Sequence, residues 1–303
     1  MENKKVIQDK ICALKKEKGA LILAHYYVPL DVQDIADHVC DSFEMAKRAK
    51  EAKENLIVIC GVRFMGESAK LLSPDKKVLI PAVDAGCPMA DMVTVEDVKR
   101  LKAAHPNAAV MCYVNSSAAV KAVSDICCTS SSALRVARSI DAEEIIFVPD
   151  IHLAEYTAAK VPEKKFIFHT GFCPTHHRVT EADILAAKKA HPDAKLAVHP
   201  ECRAEVTKHA DFIGSTSEII KYARETDADE ILIGTEMEIA LRLQQEMPHK
   251  KIYSVTSAFV CPNMKKVTLE AVLNCLEKEE YEITLDPAEA EAARESLDKM
   301  VRC

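Results

Sequence analysis

The chain has no tryptophan and only seven glycines among 303 residues. So few glycines leave no GxGxxG and no GxxxxGK[ST], and neither CxxC nor HExxH occurs. These absences exclude the Rossmann dinucleotide fingerprint, the P-loop, the zinc ribbon and the zincin helix. There is no basic run interleaved with aromatics, and the net charge is -7, so nucleic acid is not an expected partner. No apolar stretch approaches the length of a membrane span, and Met1–Lys10 is too charged for a secretory leader. A cytoplasmic setting is expected. What the chain has in quantity is apolar residues, 49%, and cysteine, twelve in all. A core this large needs no disulfide framework, and a reducing compartment keeps thiols free, so some of the cysteines are expected to bind metal.

The sequence is organised by a threefold repeat. Cys-Pro occurs at Cys87-Pro88, Cys173-Pro174 and Cys261-Pro262, separated by 173 − 87 = 86 and 261 − 173 = 88 residues. A Lys-Lys pair and an apolar run precede each, at Lys76-Lys77, Lys164-Lys165 and Lys250-Lys251. The stretch from the pair to the cysteine is shorter in the second repeat, 173 − 165 = 8 against 87 − 77 = 10 and 261 − 251 = 10. Val-Thr follows each Cys-Pro, at Thr94, Thr180 and Thr268, with an acidic residue soon after, which predicts helix N-caps. Two of the helices end at His105-Pro106 and His191-Pro192.

Apolar runs LILAHYY, AVMCYV and KLAVHP, then LIVIC, EIIFV and EILIG, alternate with stretches of helical period. The pattern predicts an α/β protein: three similar α/β/α units with short parallel sheets, arranged with pseudo-threefold symmetry around a central site. The units are drawn at residues 1–93, 94–179 and 180–303, the last including a capped C-terminal helix.

Polar residues keep the same register. His25, Tyr113 and His199 precede Ser42, Ser130 and Thr216 by 17 residues each time (42 − 25, 130 − 113, 216 − 199), and Tyr27, Asn115 and Glu201 stand two residues beyond the first set. The hydroxyls open helices, where free N–H groups favour anions; taken singly, each reads as an ordinary N-cap. All nine are expected to converge on the axis. A lone Cys-Pro is usually a small buried turn residue, but three in register bring one thiolate from each unit to a common axis and leave one metal position without a protein ligand. Soft thiolates select an iron–sulfur centre or zinc. The other nine cysteines lack the register and read as core or incidental thiols. His176, three residues after Cys173, is expected to face the axis, and His177 to be a solvated neighbour. Arg63, Asp150 and Glu236 follow the second strands and are expected to line the outer site.

AHYYVP, GCPMAD, CYVNSSAAVKA, GFCPTH and VHPEC, in this order and spacing, resemble the quinolinate synthase family over essentially the whole chain. The resemblance implies condensation of iminoaspartate, supplied by an aspartate-oxidising enzyme, with dihydroxyacetone phosphate, releasing phosphate and water. It implies a [4Fe-4S] cluster held by Cys87, Cys173 and Cys261, with one iron open as a Lewis acid. It further implies that His25, Ser42, Tyr113, Asn115, Ser130, His199, Glu201 and Thr216 contact substrate, and that Tyr27, His176 and Glu201 move protons. Another cluster-dependent hydro-lyase and a non-enzymatic iron–sulfur sensor are the competing readings. The first would need no phosphate site, and the second no repeated polar constellation.

Overall fold

The computed structural model describes residues 2–303. Three four-stranded, all-parallel sheets share one strand order. In the first, β1 (Ala20–His25), β2 (His38–Cys40), β3 (Leu56–Cys60) and β4 (Lys77–Leu79) lie in the order β2-β1-β3-β4. The second repeats this with β5 (Ala109–Tyr113), β6 (Ile126–Cys128), β7 (Glu144–Val148) and β8 (Lys165–Phe168). The third does so with β9 (Lys195–Val198), β10 (Phe212–Ile213), β11 (Glu230–Gly234) and β12 (Lys251–Ser254). Helices cover both faces, so the central strands are buried on both sides and read as unbroken apolar runs. In every unit the chain leaves the first strand to one side and returns on the other. That reversal opens a crevice at the carboxyl ends of the first and third strands, where ligands of such sheets bind.

The repeat extends to bonds that the motifs do not display. Asp37, Asp125 and Asp211 each accept the N–H of the facing first-strand residue, at 2.8 Å from Ile22, 2.7 Å from Val110 and 2.9 Å from Leu196. Each returns its own N–H to that residue's carbonyl, which ties the short edge strand in register. The first lysine of each Lys-Lys pair reaches the carbonyls where the helix before the third strand ends: Lys76 to Ala52, Lys164 to Ile140 at 2.6 Å, Lys250 to Thr226. A cation there satisfies orphan carbonyls and opposes the helix dipole.

Thr94, Thr180 and Thr268 are N-caps, as the sequence predicts, the first two within complete capping boxes to Asp97 and Asp183. His105 and His191 close their helices with φ of -132° in both; the prolines that follow bar the α conformation from these positions. The chain beyond Val267 forms helices Leu269–Lys278 and Pro287–Arg302, which join the core shared by the first and second sheets. The third sheet keeps two smaller apolar clusters of its own, one on each face.

Candidate active site

One cavity of about 130 Å³ lies where the three crevices meet, lined from all three units. Cys87, Cys173, Cys261, His25, Tyr27, Ser42, Tyr113, Asn115, Ser130, His176, His199, Glu201 and Thr216 all line it. Convergence follows from the fold: each first strand delivers its polar pair at its carboxyl end, and each last strand runs into a Cys-Pro loop on the same side.

The loops are built alike. The N–H groups of Arg63, Ile151 and Met237 donate to the carbonyls of Ala85, Gly171 and Phe259, at 2.9, 2.8 and 2.8 Å, each two residues before its cysteine. The second unit spans the gap with less chain, 173 − 168 = 5 residues from strand end to cysteine, against 87 − 79 = 8 and 261 − 254 = 7. Its loop passes close to Pro149, and a Cβ on Gly171 would lie 2.8 Å from the Pro149 carbonyl oxygen. Glycine is therefore required there, and Cys173 still reaches the cavity.

Two histidines are fixed by the same local device. The Tyr27 N–H donates to His25 Nδ1 at 3.2 Å, and the Glu201 N–H to His199 Nδ1 at 3.3 Å. Nδ1 is thereby an acceptor and the neutral ring carries its proton on Nε2. Burial pushes both imidazoles down to about 3, so each stays neutral at physiological pH and offers a fixed N–H donor.

A continuous hydrogen-bonded chain links the first, third and second units. Thr216 Oγ1 meets the Tyr27 hydroxyl at 2.8 Å, which meets Thr235 Oγ1 at 2.8 Å, which meets His176 Nε2 at 2.9 Å. His176 Nδ1 lies 2.7 Å from Glu201 Oε2, and the Tyr113 hydroxyl donates to Glu201 Oε1 at 2.6 Å. Burial raises the Glu201 carboxyl, but the imidazoles of His199 and His176 and the bonds from His176 and Tyr113 outweigh it, holding it ionised. Burial and the Glu201 charge push the phenols of Tyr27 and Tyr113 well above their ordinary range. The site thus pairs one buried carboxylate with two protonated phenols.

Thr235 is the member that sequence reasoning missed. It is fully buried, and its counterparts one residue past β3 and β7 are Gly61 and Pro149, so the threefold register gives no hint of a hydroxyl. The ordinary reading of the three hydroxyls as N-caps falls, and one expectation is corrected. Ser42 and Thr216 are not N-caps: Asp41 and Ser215 cap those helices. In the second unit the helix begins at Ala133, and Ser132, two positions past Ser130, holds the N-cap position without a side-chain cap bond. The three hydroxyls are therefore free of capping and available to the cavity. Arg63, Asp150 and Glu236 do not line it; Arg63 pairs with Glu67 at 2.9 Å and the two acids sit behind the cysteine loops. His177 meets His152 at 2.8 Å, away from the cavity.

The three cavity cysteines are free thiols. Burial pushes Cys87 up to about 12, and raises Cys173 and Cys261 as well. A bare thiolate is unfavourable there, whereas coordination to a metal removes the proton outright. Ligand atoms of Cys173, His176 and Glu201 lie within 4.8 Å of one another and could hold a single ion. Both nitrogens of His176 and both oxygens of Glu201 are already engaged in the chain of hydrogen bonds, however. Asn115 Oδ1 is buried on the cavity without a partner, an acceptor left for a bound molecule.

Comparison with known proteins decides what this assembly is. The model of the family described as "Quinolinate synthetase A protein" matches residues 9–302. The chain is 51% identical over 293 residues to the quinolinate synthase of Alkaliphilus metalliredigens, covering 97% of each. It is 50% identical to that of Caldicellulosiruptor saccharolyticus, over 97% of each, and 50% identical to that of Methanosarcina barkeri, over 97% of this chain and 96% of the other. The chain belongs to the quinolinate synthetase A family. It is accordingly an enzyme, and the cavity, lined from all three sheets by the motifs that resemble this family, is its candidate active site. No helix of the described residues is long and apolar enough to cross a membrane.

Proposed function

We propose that the chain condenses iminoaspartate with dihydroxyacetone phosphate to form quinolinate, releasing phosphate and water, in the cytoplasmic route to NAD. Cys87, Cys173 and Cys261 would hold a [4Fe-4S] cluster. The observation that carries this reading is the meeting, in one cavity of a quinolinate synthetase A family member, of one cysteine per unit with a buried acid–base chain. Three thiolates leave one iron without a protein ligand, and when bound the cluster supplies a Lewis acid for the departure of water. All twelve cysteines are free thiols, in keeping with a reducing compartment. An aspartate-oxidising enzyme would supply the imine, which hydrolyses readily.

The chain's own residues bind, orient and move protons. Iminoaspartate carries two carboxylates and the triose a phosphate, so binding needs donors. The neutral Nε2–H groups of His25 and His199 and the hydroxyls of Ser42, Ser130 and Thr216 are donors on the cavity wall. Ser42 and Thr216 stand at the first turn of ten-residue helices, where the dipole adds to anion binding. Asn115 and Tyr113 complete the second unit's share. Forming an enamine and losing water each need an acid and a base. Glu201 is the ionised base, His176 passes its proton on through Nδ1 and Nε2, and Tyr27 is the acid at the far end of Thr235.

The test is anaerobic purification and reconstitution of the chain and of Cys87→Ser, Cys173→Ser, Cys261→Ser and Cys112→Ser. About four irons and four sulfides per protomer are expected in the parent, lost in the first three variants and kept in the fourth. Incubation with iminoaspartate and dihydroxyacetone phosphate should yield a pyridine dicarboxylate. A colourless protein after careful reconstitution, or a cluster-bearing one that makes none, overturns the reading.

A further inference from the structure

The three Cys-Pro loops share a backbone plan but are not equally held. Asp150 and Glu236 stand two residues past β7 and β11, fully buried, and the two oxygens of each carboxylate bond in different directions. One oxygen serves the helix start: Asp150 Oδ1 accepts from the Leu153 N–H at 2.7 Å, and Glu236 Oε2 from the Glu238 N–H at 2.9 Å. The other oxygen reaches across to the cysteine backbone. Asp150 Oδ2 accepts from the Cys173 N–H at 3.1 Å, and Glu236 Oε1 from the Cys261 N–H at 3.3 Å. Lys265 Nζ also binds Glu236 Oε1 at 2.7 Å and donates to the Tyr27 carbonyl at 2.8 Å, so this brace is tied to the first unit too. At the corresponding position past β3 the first unit has Val62, which brings no acceptor and caps its helix with no side-chain bond.

We propose that Asp150 and Glu236 are positioning residues for Cys173 and Cys261, fixing those two sulfurs from behind, and that Cys87 is the unbraced ligand. The inference rests on reading the three cysteines as the cluster's ligands. The physical basis is rigidity. A helix start anchored in the unit's core holds the carboxyl group, and a hydrogen bond holds the cysteine's main chain to it. Outer-sphere partners of this kind orient ligands and govern how tightly a metal centre is kept. Neither carboxyl group lines the cavity, so neither is placed as a catalytic residue.

The experiment uses Asp150→Asn, Glu236→Gln and the parent, each as anaerobically reconstituted protein and after removal of iron. An amide must turn its NH2 toward one of the two N–H donors and loses that bond. In the iron-free proteins, alkylation by iodoacetamide is followed cysteine by cysteine with mass spectrometry. Asp150→Asn should speed alkylation of Cys173 by up to about tenfold, the worth of one hydrogen bond, while Cys87 and Cys261 change less than about twofold. Glu236→Gln should do the same for Cys261 alone. In the parent, Cys87 should react first, and both variants should release iron to a chelator several-fold faster. Asp150→Ser keeps a good helix cap but cannot span to Cys173, so it repeats the test if the amide variant folds poorly. Equal changes at all three cysteines, or none, overturn the proposal. A parent that takes up no iron yet shows the cysteine-specific effect overturns the cluster reading and leaves the brace standing.

Discussion

Replacing Thr235 by valine removes one hydroxyl from a fully buried position and changes little else in shape. That hydroxyl holds the bond to Tyr27 at 2.8 Å and the bond to His176 Nε2 at 2.9 Å. Tyr27 keeps its second partner, Thr216, but His176 Nε2 is left buried with none. Leaving one buried polar atom unsatisfied costs about 1–3 kcal/mol, so unfolding free energy should drop by about 2 kcal/mol, read as a shift of the urea midpoint. The effect on turnover should be larger. If Tyr27 and the His176–Glu201 pair exchange protons through Thr235, the substitution cuts that hydrogen-bonded link between them, and a positioned acid–base group is worth about 10²–10⁴ in rate. Quinolinate formation by Thr235→Val with its full complement of iron should fall at least about 100-fold, and Thr235→Ser, which restores the hydroxyl, should recover most of it. A valine variant that loses stability as expected but turns over within about twofold of the parent refutes the relay and makes Thr235 a packing residue.

Three further outcomes follow from the same geometry. His25 and His199 are held neutral down to about 3. Below the ordinary imidazole value of about 6.5 the unfolded chain binds protons that the folded chain does not, so stability falls with decreasing pH by about 1.4 kcal/mol per unit for each. Urea midpoints compared at pH 7.5 and 5 should show the fall, and His25→Gln should lessen it; midpoints that stay flat contradict the assignment. Tyr113→Phe removes the 2.6 Å bond to Glu201, a donor that favours the ionised form. The acidic limb of the pH–rate profile should move to higher pH, and an unmoved limb would mean that Glu201 is not the titrating base. Gly171→Ala places a Cβ 2.8 Å from the Pro149 carbonyl, whereas one on Gly86 meets nothing within 4 Å. Thermal melts with iron analysis should show Gly171→Ala destabilised and iron-poor and Gly86→Ala close to the parent; equal behaviour would show that the second loop can relax.

The parts of the fold legible in the sequence are those the threefold repeat writes in side-chain type. Central strands such as LILAH and EIIFV show as apolar runs because both faces are covered. The Cys-Pro loops and the capping threonines show because their chemistry is scarce elsewhere. The edge strands β2, β6 and β10 are not legible: two or three residues carry no period, and what places them is the Asp37, Asp125 and Asp211 bonds to the neighbouring strand. The hydroxyl set is legible in position but not in its local role, since a serine or threonine at the first helical residue looks, in sequence, like the cap that precedes it. Thr235 illustrates the opposite failure. A threefold register reveals only what is repeated, and this hydroxyl stands where the other two units have Gly61 and Pro149. Asp150 and Glu236 are legible in position but not in role, since what they hold is the backbone of a distant cysteine.

That asymmetry also accounts for where the chemistry sits. The first and second units share one apolar core with the C-terminal helices, while the third keeps its own clusters. Across the seam the bonds are largely polar: Tyr27 to Thr216 and Thr235, Tyr113 to Glu201, Asp41 to Ser217, Arg242 to Asp34, and Lys265 to the Tyr27 carbonyl. Tyr26 and Tyr27 pack against one of the third unit's clusters. Each such bond contributes about 1 kcal/mol net, far less than burial of a continuous core. The hydrogen-bonded chain thus sits on a largely polar junction, and under the proposed function a substrate that replaces Tyr27's or Glu201's partners changes how firmly the third unit is held. A perfect threefold molecule could not combine these properties. Three identical units would give three equal cysteine arms and three equal polar pairs, but no single carboxylate flanked by phenols. The departures from symmetry, Glu201 and Thr235 in the third unit, Tyr113 in the second and Tyr27 in the first, set a directional hydrogen-bonded chain beside three symmetric cysteine arms.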